Sequence, residues 1–487
     1  MKRNIFIFAL VIITFSSCLK DEGNYDYTQL KNVTISGLDN SYRFILQVPQ
    51  TLKPLIKTDI AEDNMTYCWR IGADTLTKTR DFNYTFTHVP ATSDPLTLDI
   101  YDKTTNVRYT KAMTLSVVSP FYTGWLILAN NNGQGELNFQ SYETDSTLYQ
   151  NIYEEVNKEK LTGTPVMVKQ INYQDGLSGA YADRVAVVCK DGKSPDLDGT
   201  SLLKYKYIED DFKTENKPSL IDVTAEYYSN DRALNVVTTD GKLYGKAVGS
   251  MSPPEDGYFQ YPFQSDGLDY RVAPYLVRPV YNSYYYALDE LNHRFVYYTS
   301  NSLSSKVSHL QWDITNSIKT ASHDTIPGVA AWMGGIMYDD DVYAVTNNDG
   351  EYRLYRFSVI WDGTATLLAC VKLPEGVVSK DSHFALHPTS PYLFVSNGNK
   401  LQAINLENLT NINSAINDLA TYEGDITDMQ FAYDANKQVN ELGIAVQTSA
   451  DKSSLLIINS QLTSHGAIIK HFDGIKGKVV SIYRKIM

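Results

Sequence analysis

Cysteine is scarce in this sequence: 487 residues carry four. No CxxC pair and no cysteine–histidine spacing typical of a zinc site occurs. Cys18 follows an apolar leader, which leaves an odd number of scattered cysteines and excludes a disulfide framework. We therefore expect Cys68, Cys189 and Cys370 to be small, buried core residues.

Positive charge is also in short supply. Lys and Arg number 43 against 56 for Asp and Glu, which gives a formal net charge of −13. No segment forms a basic stripe. An acidic surface repels phosphate backbones, so the composition excludes nucleic acid as a partner.

The common catalytic and phosphate-binding motifs HExxH, GxSxG and GxxxxGK[ST] are missing. His383 and His387 lie four residues apart, but the intervening residues 384–386 read as a strand, which is expected to separate the two side chains. Two acidic segments, 196–199 and 339–341, are predicted turns, because the other ligands of a calcium loop are absent. We expect no catalytic residue, no metal site and no cofactor.

Long apolar runs are missing apart from residues 5–13, which are too short to span a bilayer. Lys2 and Arg3 precede this run, and Cys18 follows it after small residues. This order resembles a bacterial lipoprotein signal, in which residues 1–17 are removed and Cys18 carries the lipid. An ordinary secretory signal with an incidental cysteine is the alternative.

The residues after the cysteine suggest where the protein is displayed. Lys20, Asp21 and Glu22 form a short pattern that resembles the surface-export signal of Bacteroidetes lipoproteins. The resemblance implies an outer-membrane protein that faces the extracellular side and contacts the membrane through its lipid alone. Residues 18–32 would then be the anchor linker.

Tyrosine is present in excess, with 36 residues, and it favours strands and binding surfaces. Over residues 33–119, apolar and polar residues alternate in short runs separated by turns, which predicts antiparallel strands with one buried face. Trp69 lies in one such run, where immunoglobulin-like sandwiches bury a tryptophan, although Cys68 has no partner cysteine. We predict an immunoglobulin-like β-sandwich that acts as a spacer.

Residues 120–487 repeat a strand, a turn rich in Asn, Asp and Gly, and a second strand at intervals of roughly fifty residues. Asn and Gly accept the positive φ that tight hairpins need. Seven such units predict a seven-bladed β-propeller, whereas a row of β-sandwich modules, the alternative, would repeat nearer to about ninety residues. The hairpins begin at Leu126, Val185, Leu234, Tyr284, Val342, Leu393 and Leu442.

The two ends of this region complement each other. Residues 478–483 have the pattern of an innermost strand with no hairpin after them, whereas the first hairpin, at 124–129, lacks an innermost strand before it. Pairing the two segments would complete one blade and leave no open sheet edge.

One connection between predicted blades, residues 249–274, is long and rich in aromatic residues, and it is called the aromatic connection below. Long connections in compact domains are usually functional or disordered, and the aromatic content argues against disorder. Aromatic faces with a few polar groups suit sugar stacking and peptide docking, and packing against neighbouring blades is the alternative. The predicted ligand-contact residues are Tyr258, Phe259, Tyr261, Tyr270, Arg271 and Tyr275.

A second insertion, residues 146–158, carries Leu148, Ile152 and Val156 at four-residue steps, which predicts one short helix. In a four-stranded blade, the turn between the second and third strands shares a rim with the connections between blades. We therefore expect the Asn/Asp turns and both insertions to lie on one face.

Three segments resemble the PKD-like family lipoproteins of Bacteroidetes: residues 23–27, 124–128 and 288–295. The resemblance covers nearly the whole mature chain and implies an immunoglobulin/PKD-like sandwich at 33–119 followed by the propeller at 120–487. Such lipoproteins are typically encoded beside SusC/SusD-type outer-membrane importers. The resemblance implies capture of an oligopeptide or glycan, with the importer and neighbouring surface lipoproteins as partners, and no catalytic residue.

Three function classes follow from the sequence. The first is an accessory nutrient-binding subunit of a SusCD-type importer, which the aromatic connection and the resemblance favour. The second is a non-catalytic scaffold or adhesion module that contacts other proteins of the complex. The third is a propeller glycosidase or lyase, because an acidic propeller carries many carboxylate pairs.

Overall fold

The computed structural model describes residues 30–90, 93–144, 147–171, 173–174, 181–228, 231–247, 257–278, 284–299, 306–319, 325–335, 340–360, 364–432 and 441–486. The predicted leader and Cys18 lie outside these residues. The chain divides into two compact units, the first ending at Val118 and the second beginning at Ser119. Within the described part of the chain, no helix combines the length and the apolar character needed to cross a bilayer.

The described first unit is a set of short strands. They are β1 (Val33–Ser36), β2 (Ser41–Ile45), β3 (Gln50–Leu52), β4 (Leu55–Thr58), β5 (Met65–Ile71), β6 (Asp74–Thr77), β7 (Phe82–Tyr84), β8 (Leu96–Asp102) and β9 (Val107–Val118). Five of them form one sheet in the order β2-β9-β8-β5-β6, and the others pair as β1-β4 and β3-β7. The β2-β9 pairing is parallel.

The core of this unit confirms the predicted buried tryptophan. Trp69 is fully buried, and its indole Nε1 donates to the Thr79 carbonyl at 3.2 Å. Its ring packs against Phe82 with centroids 5.1 Å apart. β8 departs from simple alternation, because the polar side chains of Thr97 and Asp99 are buried as well.

The described second unit contains strands β10 to β39. The first are β10 (Gly124–Asn131), β11 (Gln134–Ser141), β12 (Leu148–Tyr149), β13 (Thr164–Gln170), β14 (Tyr173–Gln174), β15 (Tyr181–Ala182), β16 (Arg184–Lys190), β17 (Pro195–Asp198) and β18 (Lys204–Tyr207). The next are β19 (Leu220–Tyr228), β20 (Asp231–Thr238), β21 (Leu243–Ala247), β22 (Gln264–Ser265), β23 (Tyr284–Asp289), β24 (Arg294–Thr299), β25 (Lys306–His309) and β26 (Gln311–Trp312).

The remaining strands are β27 (Val329–Gly335), β28 (Asp341–Asn348), β29 (Glu351–Val359), β30 (Thr364–Lys372), β31 (Phe384–Leu386), β32 (Tyr392–Asn397), β33 (Lys400–Asn405), β34 (Ile416–Thr421), β35 (Asp425–Phe431), β36 (Glu441–Ser449), β37 (Lys452–Asn459), β38 (Ile468–Lys476) and β39 (Lys478–Lys485). The helices are short: α1 (Ile152–Asn157) and α2 (Ile412–Ala415). The chain is therefore all-β, as predicted.

In the described residues, the strands of the second unit form seven sheets of three to five strands and one separate pair, β14-β15. Sheet 1 has the order β39-β10-β11-β12, sheet 2 is β13-β16-β17-β18, and sheet 3 is β19-β20-β21. Sheet 4 is β23-β24-β25-β22, and sheet 5 is β27-β28-β29-β30-β26. Sheets 6 and 7 are β31 to β34 and β35 to β38, each in chain order.

The hairpin turns have the predicted chemistry. In the β10-β11 turn, Asn132 and Gly133 have φ values of 51° and 87°, and the Asn130 side chain accepts from the Gly133 amide at 2.8 Å. The β28-β29 turn repeats this arrangement, with Asn347 accepting from the Gly350 amide at 2.8 Å. Positive φ is cheap for glycine and tolerated by asparagine, which explains these residues at these positions.

Apolar clusters join each sheet to the next. Six clusters connect consecutive sheets from sheet 1 to sheet 7. A seventh connects sheet 7 to sheet 1 through Trp125, Ala445 and Ile482. Burial of these side chains is the main driving force that assembles the sheets.

The C-terminal strand pairs where the sequence predicts. β39 runs antiparallel to β10, with Leu126 opposite Tyr483 and Leu128 opposite Ser481. Sheet 1 therefore draws its strands from both ends of the second unit.

The insertion at residues 146–158 contains one short helix, as predicted, but Leu148 is not part of it. Leu148 belongs to strand β12, and α1 begins at Ile152. Asn157 at the end of α1 donates to the Leu202 carbonyl in the β17-β18 connection and accepts from the Lys204 amide at the start of β18. Consecutive turns of an antiparallel sheet alternate between its two ends, so this connection lies opposite the Asn/Asp turns, and the expectation of a single face is wrong for α1.

The prediction for the cysteines is also only partly right. Cys189 is buried, whereas Cys68 and Cys370 are partly exposed. Cys68 lies on the outer side of β5, where the sheet is not fully covered.

Candidate functional site

The first strands of four sheets share an irregularity. β13, β19, β27 and β35 each shift register near their start, and the residues after the shift are Met167, Asp222, Trp332 and Asp428. A β-bulge bends the strand and re-aims the side chains that follow it. Trp332 and Asp428 contact the first strand of the next sheet, and Asp222 acts on Tyr275, which precedes β23.

Side-chain contacts link sheets 4, 5 and 6. Tyr275 lies in the segment 272–277, which bridges to β23, and its Oη donates to the Ala331 carbonyl of β27 at 2.8 Å. Trp332 stacks on Phe384 of β31, with ring centroids 5.9 Å apart.

Sheets 6, 7, 1 and 2 continue the series. His383 Nδ1 lies 4.0 Å from Asp428 Oδ1. The other carboxylate oxygen of Asp428 accepts from the Ile482 amide of β39 at 2.7 Å. Ser481 Oγ accepts from the Val168 amide of β13 at 3.2 Å.

Contacts among sheets 2, 3 and 4 complete this series of links between sheets. Lys169 Nζ donates to Thr224 Oγ1 at 3.2 Å, and the charge of Asp222 acts on Tyr275. The side chains that project between first strands are called the belt below. The belt consists of Asp222, Tyr275, Trp332, His383, Asp428 and Ser481.

The belt carboxyls sit in an unfavourable environment for charge. Burial raises the pKa of Asp222 to about 6, although Lys169 acts in the opposite direction. Burial raises the pKa of Asp428 to about 7, and the hydrogen bond from the Ile482 amide only partly offsets it. Both carboxyls therefore exchange protons near neutral pH.

The other titratable belt residues stay uncharged at neutral pH. Burial, reinforced by the charge of Lys478, lowers the pKa of His383 to about 4. Burial, reinforced by Asp222 and Glu290, raises the pKa of Tyr275 to about 12. The imidazole is therefore neutral, and the Tyr275 hydroxyl remains a donor.

Arg271 is held at the β23-β24 turn. Its amide donates to Asp289 Oδ1 at 3.1 Å, and its guanidinium Nε lies 3.7 Å from Glu290 Oε2. The Arg271 side chain is 51% exposed. Arg271 therefore presents donors to solvent on the side of the sheets where the Asn/Asp turns lie.

The aromatic connection separates its rings into two groups. Phe259 is buried against Phe212, with centroids 4.6 Å apart. Tyr270 is buried as well, and its hydroxyl donates to the Phe263 carbonyl at 2.9 Å. Neither ring presents a face to solvent, so for Phe259 and Tyr270 the packing alternative describes the structure and ligand stacking does not.

Tyr258 and Tyr261 form the second group. Their exposed fractions are 41% and 78%. Lys213 Nζ lies 4.8 Å from the centroid of the Tyr258 ring. The backbone between them is fixed, because the Phe259 amide donates to the Asp211 carbonyl at 2.9 Å.

Residues 288–295 turn out to be a structural motif. Asp289 is fully buried and accepts from Arg294 Nε at 3.0 Å and Asn292 Nδ2 at 2.7 Å. Arg294 Nη1 and Nη2 also donate to the two carboxylate oxygens of Asp266, each at 2.9 Å. This network fastens the aromatic connection to the β23-β24 turn, and only the Asp–x4–Arg spacing in the sequence hints at it.

The two acidic segments are turns only in part: residues 196–198 belong to β17, Asp341 begins β28, and residue 339 lies outside the described residues. Among the described residues, no three metal-ligating side chains come together. Asp198 accepts from the Ser201 amide at 2.8 Å and caps its own turn. Asp341 pairs with Arg356, whose Nε lies 2.5 Å from its carboxylate. The His387 ring accepts from backbone amides of the turn that follows it, away from His383 in the belt.

A model of the PKD-like family matches residues 18–165. The match covers the first unit and continues through β12 and α1 to the start of β13. Among curated proteins, no relative matches this sequence.

Several solved structures are similar in fold. A quinonprotein alcohol dehydrogenase-like protein from Bacteroides thetaiotaomicron is 14% identical with a TM-score of 0.46, covering 94% of this chain and 100% of that chain. AztD from Citrobacter koseri is 11% identical with a TM-score of 0.38, covering 86% and 97%. The β-propeller domain of Cps50 (Swd1) from Myceliophteria thermophila is 9% identical with a TM-score of 0.35, covering 58% and 93%.

Proposed function

We propose that the seven sheets are the blades of a β-propeller, closed by the pairing of β39 with β10. Two observations support closure: an apolar cluster connects sheet 7 with sheet 1, and belt contacts link the first strands in the same cyclic order. A closed ring removes the two exposed sheet edges that an open array would present.

We propose that the protein is a lipid-anchored outer-membrane protein on the extracellular side that binds a nutrient without transforming it. It would work as an accessory subunit of a SusC/SusD-type importer and contact neighbouring surface lipoproteins. The leader with Cys18 and the PKD-like match at residues 18–165 support this role. The ligand class is an oligopeptide or a glycan.

The observation that best supports the binding role is that the aromatic connection buries some of its rings and exposes others. Phe259 and Tyr270 are buried in apolar clusters, whereas Tyr258 and Tyr261 are exposed on a fixed backbone. Lys213 lies over the Tyr258 ring. Fixed, exposed tyrosines offer flat contact area at a low cost in conformational entropy. Tyr258 and Tyr261 are therefore the proposed ligand platform. Arg271 at the β23-β24 turn and Tyr275 in the belt lie in other surroundings and are not part of it.

The platform is tested by replacing Tyr258 and Tyr261 together with Ala in the full chain. The probes are a series of neutral oligosaccharides and a series of oligopeptides, titrated by calorimetry. Each stacking ring contributes on the order of 1 kcal/mol beyond area burial, so the double variant should bind roughly tenfold more weakly or worse.

Tyr205→Ala is the matched control, because Tyr205 is 57% exposed on β18 and lies outside the connection. Its affinity should equal that of the unaltered protein. A folded double variant with unchanged affinity would remove the platform and leave the scaffold role as the better account.

A second candidate function rests on Asp222 and Asp428. Their pKa values are raised to about 6 and about 7, and raised carboxyl pKa values are a feature of glycosidase acids. A glycosidase or lyase would lose activity on Asp222→Asn or Asp428→Asn while keeping its fold. Absence of any turnover by the unaltered protein on the glycan that it binds would dismiss this candidate.

A further inference from the structure

The outer face of the five-stranded sheet in the first unit contains a cavity of about 210 Å³. Three neighbouring strands supply its walls in two rows. Cys68, Asp99 and Thr110 lie opposite one another across β5, β8 and β9. Thr66, Tyr101 and Arg108 form the next row. An exposed sheet face is normally covered by independent solvated side chains, so a cavity with converging polar groups is unusual there.

Asp99 organises the charges of this cavity. Its carboxylate accepts from Arg70 Nε at 2.8 Å and from Thr110 Oγ1 at 2.7 Å. Burial by itself would raise the pKa of Asp99, but the bonds from Arg70 and Thr110 hold it below its ordinary value. Asp99 therefore stays ionised and serves as a fixed anchor.

The two arginines of the cavity differ in their hydrogen bonds and in their exposure to solvent. Arg70 makes two hydrogen bonds within the unit: Nε donates to Asp99, and Nη1 donates to the Gly72 carbonyl at 2.7 Å. Arg108 touches Asp99 only at 3.7 Å, and its side chain is 62% exposed. Asp99 thus lies close to Arg108 without occupying its donors, and an exposed guanidinium remains at the cavity.

Tyr101 supplies a fixed apolar wall beside this charge. It lies opposite Arg108 in the register of β8 and β9, and its hydroxyl donates to Asn106 Oδ1. An exposed guanidinium next to a tethered ring matches a carboxylate attached to a flat apolar group.

We propose that this cavity binds a carboxylate-bearing ligand, with Arg108 pairing to the carboxylate and Tyr101 packing against the adjoining part of the ligand. A uronic acid unit of a glycan and the C-terminus of a peptide share this chemistry. The site lies in the first unit and does not depend on the platform at Tyr258 and Tyr261.

The probes distinguish the two sources. Tri-galacturonate is compared with its methyl ester, and an acetylated tripeptide with a free C-terminus is compared with its C-terminal amide, each titrated into the full chain. At least one carboxylate form should bind tenfold or more tightly than its neutral counterpart, and added salt should weaken it. The pair that shows the difference identifies the source.

Variants assign the effect to the cavity. Arg108→Gln should reduce affinity at least tenfold, and Arg108→Lys should fall between, because an ammonium cannot pair with both carboxylate oxygens in a fork. Arg43→Gln is the control, since Arg43 lies on the same sheet in β2, opposite Ser116 and away from the cavity. An unchanged thermal midpoint shows that the fold survives.

Two results would overturn the proposal. One is equal binding, or none, by the carboxylate and neutral forms of both probes. The other is an Arg108→Gln variant that binds like the unaltered protein.

Discussion

At the scale of single residues, polar side chains in the second unit act mainly as staples between strands that are distant in sequence. Asp428 bridges β35 to β39, and Asp289 with Arg294 fastens the aromatic connection to the β23-β24 turn. Buried polar groups stay stable only when their hydrogen bonds are made, so such residues are sensitive to replacement. The segment 288–295 stands out in the sequence for this structural reason.

The belt predicts an unusual pH dependence. The pKa of Asp428 is raised from 3.8 to about 7 in the folded protein. Between these values the folded protein holds a proton that the unfolded chain has released, so stability falls as pH rises through this window. Asp428→Asn removes this contribution, and its free energy of unfolding should rise relative to the unaltered protein as the pH increases toward neutrality.

His383 acts in the opposite direction. Its pKa is lowered from 6.5 to about 4, so between these values the unfolded chain binds a proton that the folded protein excludes. Stability therefore falls as pH drops through that window. Urea denaturation at several pH values measures both effects.

At the scale of elements, the C-terminal strand β39 joins parts of the second unit that are distant in sequence. β39 pairs with β10 on one side and contacts β35 and β13 through belt bonds. Lys485 near its end is fully buried, pairs with Asp183 at 2.9 Å and donates to the Tyr122 carbonyl at 2.9 Å. One strand therefore holds the start, the end and the second sheet of the unit together.

Removal of this strand should open the second unit. Deleting the chain from Gly474 onward removes β39 and the last residues of β38, which exposes the edge of β10 and shortens the pairing of β37 with β38. The truncation should lower the thermal midpoint or abolish the cooperative transition. Lys485→Ala is the milder test and should cost about 3–5 kcal/mol in urea denaturation, because Asp183 loses its cation.

Lys478→Ala is the matched control on the same strand, since Lys478 is exposed. It should change the free energy of unfolding by less than about 1 kcal/mol. A truncated protein with an unchanged midpoint would contradict the role of β39.

At the scale of the whole molecule, the chain combines a β-rich first unit with a second unit of seven sheets. Apolar clusters between sheets supply the continuous core of the second unit. Anchoring at Cys18 would display both units outside the cell.

The anchor is tested by Cys18→Ala. Without a thiol, the lipid cannot be attached, and the protein should move from the membrane fraction to the soluble fraction. Fractionation followed by immunoblotting measures the change. A variant that remains membrane-bound and accessible to surface labelling would exclude the lipoprotein role.

Local features of the sequence determined the strands, the hairpin turns, the buried Trp69 and the pairing of β39 with β10. These depend on alternation, on residues that accept positive φ and on a missing strand at each end, all of which are legible in a linear pattern. The positions of the aromatic rings were decided only by tertiary structure, because Phe259 is buried by Phe212 from the segment after β18, whereas Tyr261 is exposed. The belt and the Asp99 cavity arose in the same way. Both depend on register and on bulges, which set the contacts between distant strands and leave no periodic trace in the sequence.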